Sequence, residues 1–383
     1  LMVAFYGATS GLSIMFFLPM VLASALASVI TSKQQTKEYE EELAEEKKMF
    51  AALLDQKETE LRYLSKEQKR ILRKNNPKAE ECCLWPVERN LRLGERRPQD
   101  TDFLFARFGE TSKPAKIAIN IPQEEGRDKN FIDEFERAES LKSRFSSLKD
   151  VPMLVDLSSM GCIGIAGTQG LERDLARAIL TQLASHHWPK EVNLAVVCNS
   201  ISVEDDWQWL ENIPHKIKLG EHAVINSKRK MQNEIEALER ELQRRQSVIY
   251  YEKSLKQNEA KTPLPAIIIF FDHVTDIYDH AAFSLILKKG SELGVYGIIL
   301  TDKFENIPGE CQATLELDNN KVLYKETGTE KKACLDITPD IISHNKAEEF
   351  SLDLSQIQWL IPENVTDPPD IILLSEMLGT STL

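Results

Sequence analysis

The stretch CIGIAGTQGLERDLARAIL (Cys162–Leu180) decides how this chain is read. An apolar run, CIGIAG, enters a loop holding Gly167 and Gly170, and an amphipathic helix follows at once. Strand, glycine turn and helix in that order form the layout in which backbone N–H groups wrap a phosphate. The side chains do not match that use. A working loop reads G-x-x-x-x-G-K-[ST], with the lysine on the β/γ oxygens and the hydroxyl on Mg²⁺. Counted from Gly167, Glu172 stands in the second glycine slot, Arg173 in the lysine slot and Asp174 in the hydroxyl slot. A carboxylate facing phosphate at ~4 Å costs about 4 kcal/mol at an effective dielectric of ~20. That is roughly three decades of affinity for each pair. The stretch therefore predicts the architecture of a phosphate loop without nucleotide binding or hydrolysis.

The neighbouring runs support the same architecture. AIIIFFD (Ala266–Asp272) is an apolar strand ending in an acid, the place from which a carboxylate reaches Mg²⁺. Asp272 is present, but His273 follows where many ATPases carry a water-activating glutamate. NLAVVCN (Asn193–Asn199) and VYGIILTD (Val295–Asp302) are further near-continuous apolar strands. Helical patterns at Leu171–His187, Ser227–Lys253 and Ala281–Leu293 separate them. This alternation predicts an α/β fold: a P-loop NTPase-like parallel sheet with helices on both faces, over residues 150–338. CIGIAG is expected centrally, beside AIIIFFD. ATLELDNNKVLYKE (Ala313–Glu326) reads as a hairpin on the sheet edge, turning at Asn319–Asn320.

Upstream the composition changes. Leu1–Ser32 holds no charged residue, and Leu12–Ile30 is nineteen uncharged, mostly apolar residues. A helix of that length spans ~28 Å, one hydrocarbon core. Lys33 and Lys37 follow it, which places the remainder on the cytoplasmic side. Because the chain begins inside apolar sequence, it is expected to be a piece of a longer protein. Residues 37–75 read as one charged helix with a narrow seam of Leu43, Phe50, Leu54, Leu61, Leu64 and Ile71, ended by Pro77. The seam meets either another helix of this chain or a neighbouring subunit. DFLFARFG (Asp102–Gly109) and AKIAINI (Ala115–Ile121) suggest a hairpin across ETSKP, and a helix is expected around Phe131–Leu148. Residues 340–383 carry eight acids against one lysine and include ENVTDPPD, so they read as an exposed linker, with Trp359 and Leu360 docking on a folded surface. The expected divisions are a transmembrane region (1–32), a helical stalk (33–76), a β-rich and helical connector (77–149), the α/β domain (150–338) and a linker (339–383).

Several function classes recede. The net charge is −13 and no basic face is evident, which argues against gripping nucleic acid. Six cysteines occur without metal-ligand spacing and read as reduced thiols. His273, Asp276, Asp279 and His280 have no diagnostic metal spacing and read as a solvated loop. His186 and His187, at a helix end, read as favouring the helix dipole. No catalytic residue, metal or resident cofactor is expected.

The order of motifs carries a resemblance. LW (Leu84, Trp85), ERRPQDTDFLFARFG (Glu95–Gly109), VPMLVDLSSMGCIGIAG (Val151–Gly167) and LERDLARAILTQLASHHWP (Leu171–Pro189) follow the apolar and charged helices. LGVYGIILTD (Leu293–Asp302) and DIILLSEMLGTS (Asp370–Ser381) continue the order. Together they resemble the EssC/EccC/YukB family, the membrane-bound FtsK/SpoIIIE-type motor of type VII secretion systems. The resemblance implies a membrane-proximal module that couples the membrane part to downstream ATPase domains for export of WXG-type proteins. ATP and Mg would belong to those downstream domains. It also implies other secretion components as partners and a homo-oligomer in the assembled complex. The alternative is an active ATP-binding translocase acting on DNA or protein. The missing lysine and the acidic balance oppose it.

Overall fold

Runs of Val, Ile, Leu and Phe become strands because such side chains fill a pleated surface that is covered on both faces. The computed structural model describes residues 2–123, 126–199, 201–217, 222–226, 231–255, 264–318, 321–327 and 337–359. Its strands are β1 (Phe105–Pro114), β2 (Ser147–Asp156), β3 (Cys162–Gly167), β4 (Val192–Cys198) and β5 (Val224–Asn226). They continue as β6 (Ala266–Asp272), β7 (Val295–Thr301), β8 (Ala313–Asp318), β9 (Lys321–Glu326) and β10 (Thr338–Pro339). The helices begin with α1 (Met2–Asn75), α2 (Ala79–Cys82), α3 (Trp85–Glu88), α4 (Ile132–Phe145) and α5 (Leu157–Met160). After them come α6 (Leu171–His186), α7 (Ile201–Asp205), α8 (Met231–Leu255), α9 (Ala281–Leu293) and α10 (His344–Ser355).

The chain divides into two compact units, one of Leu1–Ile71 with Lys113–Lys149, the other of Leu72–Ser112 with Asp150–Leu383. Residues of the expected 77–149 connector therefore fall in both.

In the second unit a seven-stranded sheet runs β5-β4-β6-β7-β3-β8-β9. It is parallel from β5 to β8, and β9 returns antiparallel to β8 with Asp318 opposite Lys321, the expected edge hairpin. Every residue of β3, β6 and β7 is buried. α6 shares that core through Leu175, Ala176, Ile179, Leu180 and Leu183. The expectation that β3 lies beside β6 is corrected, because β7 stands between them. The loop and the acid need only open into the same crevice at the strands' carboxyl ends. The register keeps them level across β7: Asp272 pairs with Leu300, and Ala166 with Thr301. Two interstrand spacings are ~10 Å, within reach of an arginine side chain.

The expected hairpin at ETSKP is also corrected. β1 runs straight through those residues to Pro114, and residues 115–121 form no strand. The second sheet is ordered β10-β1-β2 instead. β10 approaches closely because Gly109 has no side chain: a Cβ there would lie 2.1 Å from the Thr338 carbonyl oxygen. Of the expected linker, residues 339–359 are packed. α10 buries Ala347, Phe350 and Leu354 in the main core, and Trp359 meets Trp188 and His215 edge-on at 5.8 and 5.5 Å between centroids. Acidic composition hid this, because the three apolar residues that dock are spaced three and four apart among charges. Leu360 and the rest of that segment lie outside the described residues.

The first unit pairs α1 with α4. Leu54 and Leu61 of α1 are buried with Leu141 and Phe145 of α4, and Phe50, Ile117, Ile119 and Ala138 pack around them. The stalk seam thus finds a helix of its own chain, whereas Leu64 and Ile71 remain exposed. Among the described residues no helix is long and apolar enough to cross a membrane. In the Leu12–Ile30 segment, the side chains of residues 12–19 lie outside the description.

Candidate functional site: the loop between β3 and α6

The loop turns sharply between β3 and α6. Gln169 and Gly170 both have positive φ, 61° and 85°. A non-glycine residue in that region is uncommon, and Gln169 holds it nonetheless. Among the described residues no backbone carbonyl accepts from the N–H groups of Gln169, Gly170 or Glu172.

Glu172 packs against Gly167. It sits in the first turn of α6, is 3% exposed, and folds back on the loop. A Cβ built on Gly167 would lie 2.9 Å from Glu172 Oε2 and 3.0 Å from the Glu172 nitrogen. Oε2 has no hydrogen-bond partner, and His273 Nε2 stands 4.0 Å from Oε1. Burial pushes this carboxyl above its ordinary range.

Arg173 crosses to the acid of β6. Its Nε donates to Asp272 Oδ2 at 2.8 Å, and Trp207 Nε1 donates to the same oxygen at 2.8 Å. His273 Nδ1 lies 2.5 Å from the other oxygen, Oδ1. Both oxygens of a fully buried carboxylate are therefore engaged. Burial alone would raise the Asp272 carboxyl, but the His273 bond, the Arg173 charge and the Trp207 donor outweigh it and hold it low. The same hydrogen bond raises His273 against its own burial. His273 adopts a φ of 54°, held by its N–H on Leu300 and by Asn199 Nδ2 on its carbonyl at 2.6 Å.

Asp174 is committed elsewhere. Its carboxylate accepts from Arg177 Nη2 at 2.7 Å, and its carbonyl accepts from the Ile342 N–H at 3.1 Å. Arg177 Nε returns a bond to the Ile342 carbonyl at 3.1 Å. The residue in the hydroxyl slot thus ties the approach to α10. The seven candidates, Gly167, Gly170, Glu172, Arg173, Asp174, Asp272 and His273, cluster at one crevice except for the Asp174 carboxylate. Sequence order could not reveal Trp207, which is 65 residues from the acid it contacts.

The other candidates are structural. Among the described residues no group of three or more His, Cys, Asp or Glu is placed to hold a metal. His280 accepts from the Ala282 N–H and so caps α9. The reading of His186 and His187 as dipole partners is corrected. Both are buried, and burial lowers His186 to about 4 and His187 well below its ordinary value, so neither is charged at neutral pH. His186 instead joins a Cys82–His186–Glu95 constellation, 3.8 Å from the Cys82 sulfur and 3.2 Å from Glu95. Cys82 is fully buried and its thiol is pushed far up by desolvation, so no thiolate is available for attack.

The ERRPQ run also has a structural use. Arg92 donates to the Lys74 and Asn75 carbonyls, and Arg96 donates to the carbonyls of Asn75 and Phe105, so the end of α1 is capped. Arg97 pairs with Glu191 and lies over the Trp188 ring at 4.7 Å.

No family model matches the chain. The ESX secretion system protein EccC of Geobacillus thermodenitrificans is 24% identical over 208 residues, 54% of this chain and 14% of that protein. The type VII secretion system protein EssC of Staphylococcus aureus is 21% identical over 366 residues, 93% of this chain and 24% of that protein. These matches support the resemblance to the EssC/EccC family of type VII secretion ATPases. The chain spans 14% to 24% of the length of these two relatives. Among solved structures, the EccC ATPases 2 and 3 of Thermomonospora curvata in complex with a signal sequence peptide match with a TM-score of 0.47 and 11% identity. That match covers 70% of this chain and 50% of the other.

Proposed function

We propose that this EssC/EccC relative is a membrane-proximal, non-catalytic module of a type VII secretion motor. It couples a membrane segment to FtsK/SpoIIIE-type ATPase domains that serve export of WXG-type proteins. The observation that carries the reading is the closed site: Glu172 packs against Gly167 and Asp272 has both oxygens bonded. Asp272 has no oxygen free for a Mg²⁺, and Glu172 and Asp174 would meet a phosphate with like charge, so the reading assigns ATP and Mg to ATPase domains outside this chain. The membrane part rests on the uncharged run before Lys33. Met20, Leu26 and Ile30 of α1 are 69%, 62% and 63% exposed, apolar side chains that water does not favour. The secretion role rests on the names of the relatives. The net charge of −13 opposes a nucleic-acid partner.

Two assays test it on the full chain. ATP turnover should stay at the buffer rate, and the chain should float with lipid vesicles while a form lacking residues 1–32 does not. Steady turnover abolished by Asp272→Asn would establish the active-translocase alternative instead.

A further inference from the structure

We propose that Ala115–Ile121 of the first unit is an unpaired strand through which two copies of this chain join, antiparallel about Ala118. The sequence there, AKIAINI, has the period of a strand. The structure keeps that period: Ala115, Ile117, Ile119 and Ile121 are half-buried, and Lys116, Ala118 and Asn120 between them are exposed. Ile117 and Ile119 pack on the cluster of Leu54, Leu61 and Leu141, so one face is already covered. The backbone, however, has no ladder. The Ala115 N–H donates to the Ser146 carbonyl at 2.8 Å, and the Lys116 N–H to Gln68 Oε1 at 3.3 Å. Among the described residues no hydrogen bond engages the main chain from Ile117 to Ile121, as donor or as acceptor. Such an open edge is a template for a further strand. Pro114 and Pro122 bracket it without N–H donors and confine the pairing to the residues between them.

The sequence selects the partner. Around Ala118 the strip reads Ile-Ala-Ile, with Lys116 on one side and Asn120 on the other. A two-fold axis at Ala118 therefore sets Ile117 opposite Ile119 of the copy, and Lys116 opposite Asn120. No like charges meet. A parallel pairing in register would set Lys116 against Lys116, which is unfavourable. The small Ala118 side chain lies on the axis, where the copies come nearest. An apolar groove of about 440 Å³, lined by Phe50, Leu54, Leu61, Leu64, Ile119 and Phe135, opens beside the strip and gives the copy's isoleucines room.

Disulfide trapping of the full chain in detergent reads the register. In this pairing the two Ala118 Cα atoms lie ~4.5–5.5 Å apart, within disulfide reach. The two copies of residue 120 lie ~14 Å apart along the strands, beyond it. Under a mild oxidant, Ala118→Cys should form at least tenfold more covalent dimer than the parent, whose own cysteines set the background. Asn120→Cys should stay at background, and Lys116→Cys with Asn120→Cys in one chain should cross-link again. All three positions are exposed, so the packed face stays intact. Ala118→Pro removes an N–H that makes no bond within the described chain. Added to the double-cysteine variant, it should lower the covalent dimer at least tenfold with helicity unchanged by circular dichroism. Should helicity fall, Ala118→Lys replaces it and opposes two like charges at the axis. Background-level dimer from Ala118→Cys would overturn the proposal and leave the strip to a strand of another protein. Equal cross-linking by Asn120→Cys and Ala118→Cys would also overturn it, since the contact would then be parallel or a random collision. The non-catalytic reading fails on different data, ATP turnover by the parent.

Discussion

Arg173 Nε meets Asp272 Oδ2 at 2.8 Å, a contact across 99 residues of sequence that joins the first turn of α6 to the end of β6. The arginine in the lysine slot serves the protein's own acid and not an incoming phosphate. Asp272 is fully buried, so its charge depends on His273, this arginine and Trp207.

Arg173→Ala should therefore cost about 3 kcal/mol of stability, because it leaves a buried carboxylate with only neutral or partly charged donors. Asp272→Asn in the same background should recover part of the loss. Urea unfolding of the four chains in a double-mutant cycle measures the coupling, expected above about 1 kcal/mol. Additive effects would show that the contact has no energetic weight.

Gly109 should tolerate no side chain. The Thr338 carbonyl oxygen would lie 2.1 Å from its Cβ, so Gly109→Ala must push β10 away from β1. A loss of at least about 2 kcal/mol is expected. Faster amide exchange at Glu110 and Asp340 would mark the opened strand pair.

Stability should fall in mild acid. Burial lowers both His186 and His215 to about 4, against 6.5 in the unfolded chain. Above pH 6.5 both states are neutral and nothing is lost. As pH falls from 6.5 towards 4, the unfolded chain takes up protons that the folded one refuses. Each histidine then removes up to about 3 kcal/mol. Unfolding midpoints should decline across that window, and His215→Gln should flatten the slope.

In the first unit, Leu54→Ala and Leu61→Ala should each cost about 2 kcal/mol, because both side chains are buried against α4. Leu64→Ala, at a side chain 39% exposed, should cost about 0.5 kcal/mol. Exchange protection of the α4 amides reads the difference directly. Equal effects at all three positions would show that the seam is not selective.

Local patterns were legible because period and turn chemistry act over a few residues. CIGIAG, its glycine loop and α6 could be read directly, as could Asp272 at the end of β6 and the β8–β9 hairpin. The misreadings came where distant residues decide. Nothing within ETSKP says that β10 will pair with β1, since the partner lies more than two hundred residues on. The position of β7 between β3 and β6 depends on pairing partners and not on its composition. At the site the same division holds. The residue types in the lysine and glycine slots were plain, but the Trp207 donor was not. Nor did the sequence show that Asp174 turns to Arg177 rather than to the loop.

Calorimetric titration of the full chain with Mg-ATP tests the central claim most directly. With Glu172 packed against Gly167 and Asp272 bonded at both oxygens, the expected result is no binding heat at millimolar nucleotide. A saturable isotherm with a dissociation constant in the low micromolar range, lost on Arg173→Ala, would contradict it.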